Sequence, residues 1–163
     1  MSDGRILVTG AAGLIGFTLA ARLHAGGRPV IGMDQVAPAE AHDFPFIAAD
    51  LGDVHKLYQA LDQGVEGIIH CGAVSGPMLL LDNPRSIVQS NIMGSANILE
   101  AARQRDLRRV VYCSSTSAYG DHPKGLEICT EETALNAVDI YGATKASGDI
   151  MARAYTAQHG LDT

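Results

Sequence analysis

Short runs of apolar residues alternate along this chain with longer segments in which apolar residues recur at helical spacing. A short, branched apolar run is typical of a buried strand, whereas apolar residues at positions i, i+3 and i+4 are typical of a helix. The pattern predicts strands at Arg5–Val8, Pro29–Met33, Phe44–Ala48, Glu66–Cys71 and Arg109–Cys113, of which the third is the weakest. It predicts helices at Leu14–Ala25, Val54–Gln63, Ser86–Arg105 and Ile140–His159.

Residues with strong end preferences stand at the predicted helix boundaries. Gly26-Gly27 and Gly160 follow the first and last helices, where glycine commonly ends a helix. Pro84 suits the first turn of the third helix. Either Asp53 or Gly52 stands at the N-cap of the second.

Strands separated by helices predict a parallel sheet joined by right-handed crossovers. The first, fourth and fifth strands are almost continuously apolar, which is typical of strands covered on both faces. We therefore expect one α/β domain over residues 1–163, a doubly wound parallel sheet with helices on both faces. The one long connection, Ser115–Asp139, is expected to be functional or mobile because of its length.

The net charge of −6 and the absence of a basic run argue against nucleic-acid binding, which requires clustered Lys and Arg. The densest basic stretch, Arg103–Arg109, is interrupted by Asp106, and we interpret it as a solvated helix end. No signal peptide is recognisable, and no apolar run approaches the roughly 20 residues that span a bilayer. We expect a soluble, cytoplasmic protein without membrane contact.

The three cysteines fit no zinc-binding spacing, so no metal site is expected. Cys71 and Cys113 each end an apolar run, and we interpret both as small buried residues.

Three glycines, Gly10, Gly13 and Gly16, follow the first strand and open the first helix. In that context they predict a cradle for the pyrophosphate of a dinucleotide, held at the helix N-terminus. An ordinary glycine-rich turn would explain the glycines alone, but Asp34 adds support at the end of the second strand. A carboxylate there accepts hydrogen bonds from ribose hydroxyls and repels a 2′-phosphate, so NAD is favoured over NADP. The alternative for Asp34 is a plain turn residue.

Asp50-Leu51 follows the third strand in the same way. The carboxylate could accept a hydrogen bond from the adenine amino group, with Leu51 against the ring. The alternative is that Asp50 caps the next helix, a role for which Asp53 competes.

Tyr141 and Lys145 stand four residues apart in the last predicted helix and therefore share one face. A neighbouring ammonium favours the phenolate form of a tyrosine, which can then exchange a proton with a hydroxyl group. Ser115, just after the fifth strand, could donate a hydrogen bond to the reacting oxygen. Such pairs occur on helices by chance, but their order after the glycine cradle favours a catalytic role.

Taken together, these motifs resemble the extended short-chain dehydrogenase/reductase family, especially its nucleotide-sugar epimerase and dehydratase branch. The resemblance extends over essentially the whole chain and implies a Rossmann-like sheet. Five ordered segments carry it: Thr9–Gly16 (TGAAGLIG), His70–Ala73 (HCGA), Asn91–Ala102 (NIMGSANILEAA), Ser114–Gly120 (SSTSAYG) and Tyr141–Lys145 (YGATK).

The resemblance implies that Tyr141 is the acid/base, Lys145 its partner and Ser115 the third catalytic member, with Asn91 structural or part of a proton path. Hydride would pass transiently from a sugar carbon to NAD and return to the other face. The residues expected to contact NAD are Gly10, Ala12, Gly13, Leu14, Ile15, Gly16, Asp34, Asp50, Leu51, Cys71, Gly72, Ala73, Asn91, Tyr141 and Lys145. Those expected to face the substrate are Ser75, Ser115 and Thr116.

Two departures from the family pattern concern single residues. Thr116-Ser117 stands where the dehydratases carry an Asp-Glu pair, which favours an epimerase, or a simple dehydrogenase of a sugar acid or other secondary alcohol. Asp139 replaces a proline that commonly precedes the catalytic tyrosine. Members commonly dimerise through two helices, here Ser86–Arg105 and Ile140–His159.

Length is the third departure, because the family's C-terminal half supplies a sixth strand and the substrate domain. We therefore expect a sheet truncated before its sixth strand, with the fifth strand exposing an edge or covered by a partner. The chain alone would be weakly active or inactive, and a non-catalytic NAD-binding or assembly module is a further alternative.

Overall fold

The fold was obtained as a computed structural model, which describes residues 4–76, 79–121 and 128–163. The described residues form one parallel sheet with the strand order β3-β2-β1-β4-β5, the Rossmann-like arrangement that was expected. Its strands are β1 Arg5–Thr9, β2 Val30–Asp34, β3 Phe46–Ala48, β4 Val65–His70 and β5 Arg109–Tyr112. Every predicted strand is therefore confirmed, with bounds that shift by one or two residues.

The helices of the described part are α1 Leu14–Ala25, α2 Val54–Leu61, α3 Pro84–Val88, α4 Gly94–Gln104 and α5 Ile140–His159. The predicted bounds of α1 and α5 are confirmed, and α2 ends two residues early. The side chain of Asp53, not Gly52, caps α2 by accepting a hydrogen bond from the backbone N–H of Lys56 at 3.1 Å.

The long helix predicted over Ser86–Arg105 is present as helical backbone from Pro84 to Gln104, but it is not one regular α-helix. A π-helical turn, Gln89–Met93, separates α3 from α4. Such a turn accommodates one extra residue and commonly marks a functional position. Here it places the polar side chain of Asn91 in the interior, where it is 1% exposed.

The core has one part on each face of the sheet. Leu7, Ile31, Ile68 and Val110 pack on the face covered by α2, α4 and α5. Val8, Val30 and Phe44 form a smaller cluster with Ala20 of α1 on the opposite face. That second cluster extends over β1 to β3, and Val111 of β5 remains 46% exposed. The expectation that the fifth strand is covered on both faces is therefore wrong for the described residues.

The outer edge of β5 is partly occupied by the chain itself. The backbone N–H of Val110 donates to the carbonyl oxygen of Asp162 at 2.9 Å. The guanidinium of Arg109 pairs with the carboxylate of Asp162 at 2.6 Å. Residues near Asp162 thus begin to pair along the edge that we expected to be open.

The basic stretch after α4 is exposed and largely paired, in line with its interpretation as a solvated helix end. Arg103 pairs with Glu100 at 2.7 Å, and Arg105 pairs with Asp62 at 2.8 Å. Part of the long connection expected between Ser115 and Asp139, residues 122–127, lies outside the described residues. Within the described part of the chain, no helix is long and apolar enough to cross a membrane.

Candidate functional site

A cleft of about 370 Å³ opens at the carboxyl ends of β1, β2 and β4. In this strand order, β1 and β4 begin the two halves of the sheet, and ligands of such folds bind at the crevice between them. Many of the predicted residues line the cleft: Gly10, Gly13, Leu14, Ile15, Gly16, Asp34, Leu51, Cys71, Gly72, Ala73 and Ser75. Sequence reasoning missed further lining residues, namely Met33, Gln35, Ala49, Val74 and Ser90.

The glycine turn brings the start of α1 close to the end of β1. A Cβ atom on Gly16 would lie 2.1 Å from the carbonyl oxygen of Gly10, so only glycine permits this approach. Gly13 stands at the N-cap of α1, so no side chain accepts a hydrogen bond from the first backbone N–H groups of this helix. The first backbone N–H groups of an uncapped helix remain available, and together with the helix dipole they attract an anion.

Asp34 connects the end of β2 with this turn. One of its carboxylate oxygens accepts a hydrogen bond from the backbone N–H of Ala12 at 3.0 Å. The other accepts from the backbone N–H of Gln35 at 2.7 Å. Each carboxylate oxygen has two lone pairs, so both retain acceptor capacity toward the cleft. Ala12 therefore supports Asp34 through its backbone N–H and is absent from the cleft lining.

Asp50 is exposed and lies outside the cleft lining. Its carboxylate accepts a hydrogen bond from the backbone N–H of Gly52 at 2.6 Å. Because Asp53 caps α2, the alternative that Asp50 does so is wrong. Leu51 is 8% exposed and lines the cleft as predicted. A contact of Asp50 with adenine stays a prediction.

A buried polar network that sequence reasoning missed lies under the cleft floor. The Nδ1 atom of His70 lies 2.7 Å from Thr9 Oγ1, and its Nε2 atom lies 3.1 Å from Ser95 Oγ. Thr9 Oγ1 already accepts from the backbone N–H of Gly72, and Ser95 Oγ already donates to the carbonyl of Asn91. Because Ser95 Oγ already donates, His70 donates to it from Nε2, and a neutral ring then accepts at Nδ1 from the hydroxyl of Thr9.

That arrangement requires a neutral imidazole. Burial lowers the pKa of His70 to about 3, and the nearby positive charge of Lys145 contributes to the shift. The neutral ring accepts at Nδ1 and donates from Nε2. Because Thr9 and His70 are paired across β1 and β4, the hydrogen bond between them holds the ends of these strands together. The only sequence signal was a polar residue at the end of an apolar strand.

Asn91 occupies the π-helical turn and uses its whole side-chain amide. Its Oδ1 accepts from the backbone N–H of Val74 at 2.8 Å, and its Nδ2 donates to the carbonyl of Val74 at 3.1 Å. Nδ2 also donates to Thr144 Oγ1 at 2.9 Å. Asn91 therefore ties the cleft wall at Val74 to α5. The geometry does not support a direct contact with the cofactor, because this amide is buried and absent from the lining.

The start of α5 is fixed by two features. The side chain of Asp139, at the position where the family commonly has proline, caps the helix by accepting from the backbone N–H of Gly142 at 2.7 Å. A Cβ atom on Gly142 would lie 2.3 Å from the carbonyl oxygen of Ser117, so α5 touches the 3₁₀ turn Thr116–Ala118. Tyr141 at 9% exposure is thereby held beside the turn that Ser115 precedes.

Ser115 begins this 3₁₀ turn. Its Oγ accepts a hydrogen bond from the backbone N–H of Ser117 at 3.2 Å, which leaves the hydroxyl proton free to donate. Ser115 is partly exposed and Thr116 is exposed. Both lie outside the cleft lining, as Tyr141 and Lys145 do.

Lys145 is almost completely buried, with 3% of its surface exposed. Its Nζ atom lies 4.3 Å from the centre of the Tyr112 ring, a cation–π arrangement. Tyr112 also donates from its hydroxyl to the carbonyl of Lys145 at 3.3 Å. Burial lowers the pKa of Lys145, and the negative charges that Cys113 and Asp149 can carry oppose this effect.

The prediction that Cys71 and Cys113 are buried core residues is wrong. Each is only half-buried, because each lies just beyond the end of its strand at the rim of the sheet. Their sulfur atoms are 3.4 Å apart.

Known proteins resemble this chain in both sequence and fold. A UDP-glucose 4-epimerase of Mycolicibacterium smegmatis is 33% identical over 168 residues, covering 97% of this chain and 53% of that protein. The structure of the UDP-glucose 4-epimerase of Thermus thermophilus in complex with NAD is 29% identical, with a TM-score of 0.87 over 96% of this chain and 52% of that chain. A mutated uronate dehydrogenase is 34% identical, with a TM-score of 0.82 over 97% and 56%.

The chain spans about half the length of the curated relatives it matches. The family model described as the NAD dependent epimerase/dehydratase family matches residues 6–163. With this match over nearly the whole chain, and with the glycine turn and the last helix placed as described, the chain belongs to the NAD dependent epimerase/dehydratase family.

Proposed function

We propose that the cleft binds NAD and that the chain contributes the cofactor site and the acid/base residues of an oxidoreductase of the nucleotide-sugar epimerase type. The observation that carries the proposal is the shared location of the uncapped N-terminus of α1 and the carboxylate of Asp34 in one cleft. A diphosphate fits the first and a ribose diol fits the second.

The cofactor would lie across the carboxyl ends of the strands. Its adenosine half would contact Asp34 and Leu51, and its diphosphate would lie over the start of α1. The nicotinamide half would then extend past Ala73 and Ser75 toward α5. NAD is favoured over NADP, because the carboxylate of Asp34 would repel a 2′-phosphate and no arginine stands beside it at Gln35.

When bound, NAD supplies the acceptor for a hydride from the carbon that bears the reacting hydroxyl. Tyr141 takes the proton from that hydroxyl oxygen and later returns it. Lys145 is buried one helical turn beyond Tyr141 and is its proposed partner. Ser115 donates a hydrogen bond to the same oxygen from its free hydroxyl proton. Returning hydride to the opposite face of the sugar would give the epimer.

A simple NAD-dependent dehydrogenase of a sugar acid is the second candidate. The similarity to a uronate dehydrogenase favours it, and the acid/base chemistry would be the same. The two differ in product, because a dehydrogenase releases NADH and an epimerase retains it. With UDP-glucuronic acid or free glucuronic acid, a dehydrogenase would raise the absorbance of NADH, whereas an epimerase would convert the sugar without that rise.

We also propose a homodimer through two helical surfaces, one formed by the helical segment from α3 to α4 and the other by α5. Val88 and Met93 are exposed on the first surface, and Ile140 and Ile150 are exposed on the second. Burying such side chains is favourable and would offset the cost of association. Light scattering after size exclusion tests this proposal, and a mass equal to one chain at micromolar concentration would contradict it.

The cofactor site is tested by calorimetric titration of NAD into the purified chain and its Asp34→Ala variant. We expect the variant to bind NAD more weakly by about 1–3 kcal/mol, because a ribose hydroxyl would lose a carboxylate partner. Asp43→Ala, at an exposed loop carboxylate, is the matched control. Equal NAD affinity of the wild type and Asp34→Ala would refute the ribose contact.

The acid/base assignment is tested with Tyr141→Phe, which removes only the hydroxyl group. We expect NAD affinity to be kept and turnover of the active enzyme to be abolished. Turnover at the wild-type rate would remove Tyr141 from the reaction.

A further inference from the structure

Cys71 and Cys113 lie side by side at one end of the sheet although 42 residues separate them in sequence. Each directly follows its strand, and the preceding residues His70 and Tyr112 are paired across β4 and β5. The ladder continues by one step, because the backbone N–H of Cys113 donates to the carbonyl of His70 at 3.1 Å. The two cysteines therefore occupy adjacent positions on neighbouring parallel strands.

We propose that Cys71 and Cys113 form a reversible intramolecular disulfide at the wall of the cofactor cleft. Their sulfur atoms are 3.4 Å apart and would need to approach to about 2.05 Å, a movement that side-chain rotation can supply. Adjacent positions on paired strands lie about 5 Å apart at Cα, which is within the range that disulfides span. Both residues are partly exposed, so small solutes can reach them.

The surroundings distinguish the two thiols. The two sulfur atoms are within hydrogen-bond distance and either can be the donor; with Cys71 as the donor, this bond and the charge of Lys145 lower the pKa of Cys113 to about 6. The same hydrogen bond and burial raise the pKa of Cys71. With that hydrogen-bond direction Cys113 is the thiolate near neutral pH, and the thiolate is the form that attacks a disulfide. Cys71 is the resolving residue.

The reaction partner is a low-molecular-weight disulfide of the glutathione type. The Cys113 thiolate attacks one sulfur of that disulfide, forming a mixed disulfide and releasing one thiolate. Cys71 then loses its proton and attacks the Cys113 sulfur, forming the Cys71–Cys113 bond and releasing the second thiolate. The two cysteines are oxidised by two electrons in total, and the small disulfide is reduced to two thiols once the leaving thiolates take up protons.

The bond would affect the cleft because Cys71 lines it next to Gly72 and Ala73. Drawing the Cys71 sulfur toward Cys113 reshapes this wall, so the oxidised form should bind NAD more weakly. By thermodynamic reciprocity, bound NAD should then make the disulfide easier to reduce. This linkage rests on the proposed position of NAD, whereas the disulfide itself does not.

The disulfide is tested by equilibrating the purified chain with defined ratios of glutathione and glutathione disulfide, followed by acid quenching, alkylation and mass spectrometry. The wild type and Cys129→Ser should each lose two hydrogen atoms, and peptide mapping should join Cys71 to Cys113. Cys129 is exposed and serves as the matched control position. Cys71→Ser should instead accumulate a mixed disulfide with glutathione at Cys113. The rate of its formation should exceed the rate at which Cys113→Ser forms a mixed disulfide at Cys71.

Two results would overturn the proposal: no Cys71–Cys113 bond in Cys129→Ser at the most oxidising ratio, or a mixed disulfide at Cys113 that Cys71 never resolves. Because Cys129→Ser keeps both partners, the test does not depend on whether the other two variants fold. For the linkage, the oxidised form should bind NAD roughly fivefold or more weakly than the reduced form. Equal affinity would refute the linkage, and no NAD binding by either form would refute the proposed function instead.

Discussion

His70 should make folding stability depend on pH in a way that its burial dictates. In the folded chain its pKa is lowered from about 6.5 to about 3, first by burial and then by the charge of Lys145. The unfolded chain therefore takes up a proton at His70 below about pH 6.5, and the folded chain does not until about pH 3. Because the unfolded state binds more protons in this window, stability falls as the pH falls.

The magnitude follows from one proton. Well below pH 6.5 the loss approaches about 1.4 kcal/mol per pH unit. Integrated from pH 7 to pH 5, it amounts to about 2 kcal/mol, a sizeable part of the 5–15 kcal/mol typical of a domain. Glu66 and Glu100, whose pKa values are lowered in the folded chain, contribute mostly below their ordinary value of 4.5. Cys113, whose pKa is lowered to about 6, also titrates between pH 7 and pH 5, so the contribution of His70 must be isolated with a substitution at that residue.

Urea unfolding followed by circular dichroism at pH 7, 6 and 5 measures the effect, with His70→Gln as the variant that cannot take up this proton. We expect the difference in stability between the wild type and His70→Gln to shrink by about 2 kcal/mol from pH 7 to pH 5. His55→Gln, an exposed substitution on α2, should leave the wild-type slope in place. A constant difference between the wild type and His70→Gln across this range would refute the neutral, doubly hydrogen-bonded imidazole.

Two further substitutions test how the cleft wall and α5 are held. Asn91→Ala removes the hydrogen bonds to Val74 and Thr144 and should lower the free energy of unfolding by about 3 kcal/mol. The matched control Asn97→Ala loses one hydrogen bond to the Leu51 carbonyl and should lower the free energy of unfolding in urea by about 1 kcal/mol. Equal losses in the two variants would contradict the role of Asn91 in holding Val74 to α5. Gly142→Ala places a methyl group against the Ser117 carbonyl and should cost about 1–3 kcal/mol and slow turnover, whereas unchanged stability would contradict the close approach.

Local signals carried most of the correct sequence predictions. The bounds of α1 and α5 were predictable because glycines follow both helices and the apolar spacing is regular within each. The π-helical turn was not, because an apolar pattern averaged over about 20 residues tolerates one inserted residue. The buried amide of Asn91 lies within this turn, and its partners Val74 and Thr144 are brought near only by the fold.

In the candidate site, too, some residues were predictable from local sequence and others depend on the fold. The glycine turn is contiguous in sequence, so the grouping of Gly10, Gly13 and Gly16 was predictable from local spacing alone. Met33 of β2 and Ala49, just after β3, also line the cleft, and the strand order decides whether they do. The same holds for the coverage of β5, which depends on where α1 lies on the sheet rather than on the composition of the strand.

Lys145 links features that the sequence presents as separate. It is the proposed partner of Tyr141, and its charge also lowers the pKa of His70 and that of Cys113. A single buried cation can compensate only one nearby anion fully, because a second anion then meets a nearly neutral pair. A Cys113 thiolate therefore takes up much of the charge of Lys145, and forming the Cys71–Cys113 bond would remove that thiolate.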